Sequence, residues 1–245
     1  MKDNFSQQAA GYAKYRPQYP DALFTYILEF VKEKNTAWDC GTGNGQTAKE
    51  LSKYFNKVFA TDISQKQIDN AYRADNILYS LQPAEQTDLA EKSIDLITVS
   101  QALHWFNFDA FYKEVKRVAK PNAIIAVWTY SLLQISKEIN AVIEHYHFSI
   151  LANYWDAERK YVDDKYTSIP FPFDEIEAPA FEIKIYWSLQ DLEGYFYTWS
   201  ALQKFTAAHN FSPVDDLITQ LQPLWGAAEK REIIFPVQLR LGTIK

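Results

Sequence analysis

The sequence predicts a doubly wound α/β fold, and three observations carry that prediction. Short apolar runs recur at 36–40, 57–63, 94–100 and 123–128, with a weaker one at 77–81. They are continuously apolar rather than alternating, as parallel strands covered on both faces must be. Helix-like segments at 46–55, 64–74 and 108–118 separate them, and such alternation builds a sheet flanked by helices. The third observation is a glycine cluster: the 245 residues hold 7 glycines, and Gly41, Gly43 and Gly45 follow the first run directly. Glycine permits positive φ and lets backbone approach a ligand closely. The cluster therefore reads as a binding turn.

Each flanking element has its own signal. A helix is expected at 5–14, ended by Arg16-Pro17, and a second at 20–31, where Pro20 suits a first turn. In the second, Leu23, Phe24, Ile27, Leu28 and Val31 form an apolar stripe. After Trp128 the character changes. Ile135, Ile139, Val142, Ile143, Tyr146 and Ile150 mark a long amphipathic helix. Phe181, Ile183, Ile185 and Trp187 alternate with Glu182, Lys184 and Tyr186, the pattern of a half-exposed antiparallel or edge strand. Helices are expected around 191–204 and 213–225, then a strand over 232–244 in which Pro236 marks a bulge or an unpaired position. The expected organisation is a single domain over 1–245 with a helical lid inserted at 131–180.

Composition narrows the function. Hydrophobic residues make up 47%, and 7 Trp, 16 Tyr and 16 Phe can fill a core and still line a cavity. A formal net charge of −6 leaves no overall basic footprint for nucleic acid. Cys40 is the single cysteine, which excludes an intrachain disulfide and fits a reducing, cytoplasmic setting. The first residues lack a signal-peptide core, and no run approaches membrane-spanning length. His145-Tyr146-His147 would send two imidazoles to divergent sides of a helix, so no metal site is expected. Oligomeric state leaves no mark.

The turn's neighbours suggest its ligand. A dinucleotide fingerprint requires G-x-G-x-x-G with pyrophosphate on a helix N-terminus. Here the third glycine arrives one residue early, and Gln46 stands in its place. Asp39, two positions before Gly41, would repel pyrophosphate and attract an ammonium or sulfonium. Asp62 ends the second strand, where a carboxylate can take both hydroxyls of a ribose. One ribose, a cationic head and no diphosphate describe S-adenosylmethionine. A strand-end Asp can equally serve as a helix cap.

Asp39-Cys-Gly-Thr-Gly-Asn-Gly45 resembles motif I of the class I S-adenosylmethionine-dependent methyltransferases. Ala84-Glu85, Ser93-Ile94-Asp95-Leu96-Ile97 and Gln101-Ala102-Leu103-His104-Trp105-Phe106 resemble its type 11, trans-aconitate methyltransferase-like subgroup, as do segments 12–17 and 197–203. Cys40 departs mildly from the usual aliphatic residue, in a slot that a thiol can fill. The resemblance implies a Rossmann-like, mostly parallel seven-stranded sheet with an antiparallel C-terminal strand. It places the backbone of Gly41, Thr42, Gly43 and Gly45 against the methionine part of S-adenosylmethionine, with Asp39 near the ammonium. Asp62 would bind the ribose, Ile63 would lie against the adenine, and Glu85 with the Ala84 backbone would meet the adenine edge. Gln101 would sit close to the sulfonium.

For chemistry, His104 is the candidate general base, at the carboxyl edge after the fourth strand; the other reading is a pocket-lining ring. A carboxylate acceptor would need no base. Trp105 and Phe106 can flank a sulfonium or pack as core rings. Tyr12 and Arg16 can reach the cofactor carboxylate or an anionic acceptor if the first helix folds over the site, with Tyr15 beside them. Tyr197, Trp199 and Gln203 can line the acceptor side or form a packing face. The favoured function is methyl transfer to a small molecule, a carboxylic acid first. A non-catalytic S-adenosylmethionine-binding scaffold and an NAD-dependent oxidoreductase are the alternatives.

Overall fold

The structure, a computed structural model, describes Tyr15 and residues 17–245. The helix expected at 5–14, together with Tyr12 and Arg16, lies outside the described residues. Four strands pair in parallel around the glycine turn. β1 (Thr36–Cys40) lies between β2 (Lys57–Asp62) and β4 (Ile94–Ser100), and β3 (Ile77–Leu81) flanks β2. β5 (Ala119–Tyr130) continues the parallel set beside β4. Alternate residues of β4 and β5 feed different cores: Leu96, Ile124, Ala126 and Trp128 on one face, Ile97, Val99, Ile125 and Val127 on the other. Two buried faces explain why these runs lack polar alternation.

Helices cover both faces. α1 (Asp21–Glu29) and α2 (Gln46–Leu51) bring Leu23, Phe24, Ile27 and Ala48 to the first core. α3 (Gln65–Asp69) follows β2, and α4 (Phe108–Val118) packs Phe111 and Val115 into the second core. Asn107 starts α4 by accepting from the Ala110 N–H at 3.1 Å. Lys116 and Arg117 in its last turn suit the negative end of the helix dipole. Cys40 is fully buried in that core, and burial pushes its thiol well above the usual range. It is a packing residue, not a nucleophile.

Two helical excursions complete the chain. Between β5 and β6 (Asp174–Ile176) lie α5 (Lys137–His145), a π-helical turn at Tyr146–Ile150, and α6 (Arg159–Asp163). Between β7 (Phe181–Trp187) and β8 (Arg231–Thr243) lie α7 (Leu189–Phe196), α8 (Ser200–His209) and α9 (Val214–Trp225). The excursions bind one another. Tyr146 Oη donates to Asp216 at 2.6 Å, and Lys204 pairs with Asp156 at 2.8 Å.

β8 runs antiparallel to β5 along residues 237–243. Its other edge pairs with β6 along 241–243 and with β7 along 231–237. Among the described residues the sheet thus has eight strands in the order β3-β2-β1-β4-β5-β8-β6, with β7 sharing the edge lane of β6. The expected seven-stranded arrangement holds, with its outermost strand broken in two. The segment expected to be lid at 131–180 includes β6, which belongs to the sheet.

Other boundaries differ for local reasons. The helix expected at 64–74 stops at Asp69, and the Tyr72 N–H is drawn to the Asn44 carbonyl at 3.1 Å, tying this stretch to the glycine turn. The helix expected at 191–204 divides where the Thr198 hydroxyl donates to the Tyr195 carbonyl at 2.6 Å. Pro236 carries no bulge and stays in register with Glu182. Its carbonyl accepts from the Ser131 N–H at 2.9 Å, so its missing donor faces the chain just beyond β5. Among the described residues, no helix is long and apolar enough to cross a membrane.

Candidate active site

The carboxyl ends of β1, β2 and β4 open on a cavity of about 440 Å³ walled by the glycine turn. Gly41, Gly43 and Gly45 have φ of 68°, 55° and 79°, which an L side chain rarely adopts. Their surroundings differ. A Cβ on Gly41 would stand 2.7 Å from the Ala102 methyl, and one on Gly45 would stand 2.1 Å from the Tyr79 hydroxyl. A Cβ on Gly43 would meet nothing within 4 Å, so here the backbone faces open cavity. Gly41 and Gly45 let the protein close on itself; Gly43 leaves room for a ligand.

Asp62 lines this cavity and also shapes it. Its Oδ2 accepts from the Gly43 N–H at 2.8 Å and its Oδ1 from the Ser64 N–H at 2.9 Å. Thr42, Ile63 and Ala84 share the wall. Asp39, expected beside the ligand, stands behind the turn and is 1% exposed. Its two oxygens accept from the hydroxyls of Thr42 at 2.6 Å and Thr98 at 2.9 Å. Burial pushes its carboxyl up to about 6, against those hydrogen bonds and one from the Ala48 N–H, with the Asp62 charge adding to the rise. Asp39 therefore holds the turn from behind. Glu85, expected at the adenine edge, accepts through Oε1 from the Asn107 N–H at 2.9 Å, at the start of α4, while Ala84 and Gln82 line the cavity.

A second, smaller chamber of about 80 Å³ adjoins the first, and Gln101, Trp105 and Tyr130 line both. Gln101 sits at φ 53°, with its amide oriented by the Thr129 hydroxyl donating to Oε1 at 2.7 Å. His104 lines the small chamber with Nδ1 2.7 Å from the Tyr166 hydroxyl. Burial first, and then the Arg159 charge, lower His104 to about 3, with Asp163 opposing. Burial thus favours the neutral ring, and the Tyr166 hydroxyl engages its Nδ1.

The helical excursions supply the remaining wall. Trp199 reaches the chamber, whereas Tyr197, 44% exposed, and Gln203 line neither cavity. Tyr197 and Trp199 stand two residues apart across the break between α7 and α8, a spacing that sends neighbouring side chains to opposite sides. Tyr15 also lies off both cavities, its ring packed where a Cβ on Gly194 would fall at 2.4 Å. Phe106 joins the large-cavity wall while packing on Phe111 at 4.9 Å between ring centroids. The residues the sequence did not disclose are Trp155 and Arg159. Arg159 stacks on Trp155 at 4.7 Å, and its Nε donates to Asp163 Oδ1 at 3.0 Å. His147 Nε2 lies 3.3 Å from the same oxygen.

A glycine turn after β1, a carboxylate ending β2 and an antiparallel last strand define the class I nucleoside-cofactor methyltransferase architecture. The comparisons with known proteins agree. Residues 38–127 match the type 11 family described as "Methyltransferase domain". A Dictyostelium discoideum protein with a provisional methyltransferase name is 36% identical over 248 residues, covering 98% of this chain and 94% of that one. A solved structure from Anaeromyxobacter dehalogenans, provisionally described as a type II methyltransferase, superposes with a TM-score of 0.87 at 37% identity, covering 94% of this chain and 98% of that one. The chain belongs to the class I S-adenosylmethionine-dependent methyltransferases, and S-adenosylmethionine is its cofactor.

Proposed function

We propose that this methyltransferase acts on a small-molecule carboxylic acid, with the cofactor in the large cavity and the acceptor in the small chamber. One observation carries the reading: Gln101, Trp105 and Tyr130 line both spaces, so a donor in one and an acceptor in the other meet at that seam. When bound, S-adenosylmethionine supplies an electrophilic methyl group, which a carboxylate oxygen takes without first losing a proton. No strong base is then needed, in keeping with a neutral, hydrogen-bonded His104. Methylation of a phenol or amine would profit from one.

The chain's own residues hold and orient the partners. The N–H-bearing backbone of Gly41–Gly43 receives the methionine part, and Asp62 the ribose. Ile63 and Ala84 lie along the adenine. Asp39 favours the ammonium from behind the turn. Trp105 and Gln101 fix the approach at the seam, while the helices within 131–180 cover it and exclude water. The likeness of segment 101–106 to the trans-aconitate methyltransferase-like subgroup supports an acid as acceptor, and the single buried thiol suits a cytoplasmic enzyme.

The test is transfer of labelled methyl to panels of carboxylic acids, phenols and amines. Label should appear on acids and be released as methanol by mild base, as an ester requires. Base-stable label on phenols or amines alone would overturn the proposal.

A further inference from the structure

Arg159 lines the small chamber and not the large cavity, and the transfer chemistry above gives it no task. Its setting is specific. The guanidinium lies 4.7 Å from the Trp155 ring, which itself packs 5.6 Å from the Trp199 ring. Its Nε donates to Asp163 Oδ1 at 3.0 Å, which leaves the Nη1 and Nη2 side of the fork turned away from that pair. Asp163 is fixed in turn. Burial alone would raise its carboxyl, but hydrogen bonds from His147 and the Arg159 charge hold it below the usual range. An arginine stacked on one side and paired through Nε presents its two Nη groups as a fork, the shape that matches a carboxylate.

The rest of the chamber agrees. Trp155, Tyr195 and Trp199 offer flat apolar walls, and neutral His104 adds no competing charge. Asp156 also reaches the wall, but its carboxylate is paired with Lys204 at 2.8 Å.

We propose that Arg159 is the residue that selects the acceptor, receiving the carboxylate of a small, flat acid that lies against the Tyr195 and Trp199 side of the chamber. Asp163, backed by His147, is the positioning residue that aims the guanidinium. The proposal rests on the acceptor occupying the small chamber. It also has a consequence for turnover: a methyl ester carries no charge, so the product loses the partner that admitted the substrate and departs more readily.

Calorimetry tests this on protein saturated with S-adenosylhomocysteine, using benzoate, benzamide and methyl benzoate as probes. Wild type should bind benzoate about tenfold or more tighter than either neutral probe, the range expected of a charge-assisted fork. In Arg159→Gln the three affinities should converge to within about twofold, with S-adenosylhomocysteine binding unchanged as the check on folding. Arg159→Met, which keeps the stem on Trp155, answers the same question should Arg159→Gln fail to fold. Equal affinities in wild type, or a benzoate preference that survives either variant, would overturn the assignment. The labelling assay separates the two claims. Base-stable label on phenols or amines with the Arg159-dependent preference intact removes the carboxylic acceptor and keeps the anion site. Ester formation without that preference does the reverse.

Discussion

The two cavities share a wall and are built by opposite means. The large one is built around the backbone of the glycine turn at the strand ends: Gly43 leaves its face open, and Asp62 clamps the turn through the Gly43 N–H. The small one is made of side chains from elements far apart in the chain, with His104 after β4, Arg159 on α6 and Trp199 before α8. Backbone recognition depends on the fold and tolerates drift in sequence. Side-chain recognition can be rewritten residue by residue while the sheet stays intact. Under the proposed assignment, cofactor and acceptor would be read by largely different parts of the molecule that meet at Gln101, Trp105 and Tyr130.

Variants should respect that division, beginning with the largest effect. Gly43→Val sets a β-branched residue at φ 55° and fills the open face. Backbone strain of about 1–2 kcal/mol adds to occlusion, and S-adenosylhomocysteine binding should fall by more than ~100-fold in calorimetry. Retained binding would mean the turn is not where the cofactor lies. Asp62→Ala removes the acceptor of the Gly43 N–H together with a cavity carboxylate, a loss of about 1.5–3 kcal/mol or roughly 10- to 150-fold in affinity. An unchanged Kd would refute the ribose assignment.

A smaller effect comes from Asp39. Its carboxyl is raised to about 6 in the folded protein, so it is charged at pH 7 and becomes protonated as pH falls through that value. The charged form favours the cofactor ammonium. Affinity should therefore weaken below about pH 6, by at most about tenfold per pH unit, and level off above it. A flat profile would show that its field does not reach the ligand. Smallest is His104→Asn. With the ring lowered to about 3, kcat should drop less than ~10-fold and show no titration near its ordinary value. A loss of about 100-fold or more would restore the general-base role.

The same division decides what could be read from the sequence. β1, β4 and α4 fall where their apolar patterns end, because two-sided burial forces uninterrupted apolar runs and Asn107 supplies a local cap; β3, at the sheet edge, also falls where expected. Gly41, Gly43 and Asp62 were legible since a turn and a strand end fix their positions without reference to the rest of the chain. For Asp39 and Glu85 the region was legible and the hydrogen-bond partners were not. Their hydrogen bonds to Thr98 and to the Asn107 N–H connect strands and loops that no local pattern links. The helix expected over 191–204 breaks at Thr198, and of Tyr197, Trp199 and Gln203 only Trp199 lines the small chamber. Arg159 gave no signal at all: a lone arginine in an aromatic, charged stretch gains meaning only when Trp155 and Asp163 close around it.

The position of β8 carries a temporal cost. It lies between β5 and the β6–β7 edge lane, yet it follows every other strand in the chain. While the polypeptide leaves the ribosome, β5 must wait with a bare edge, and β6 and β7 have nothing to join until 231–243 emerges. An uncovered edge of that kind invites pairing with a neighbouring nascent chain. The final stitch is what converts a sticky translation intermediate into a sealed enzyme.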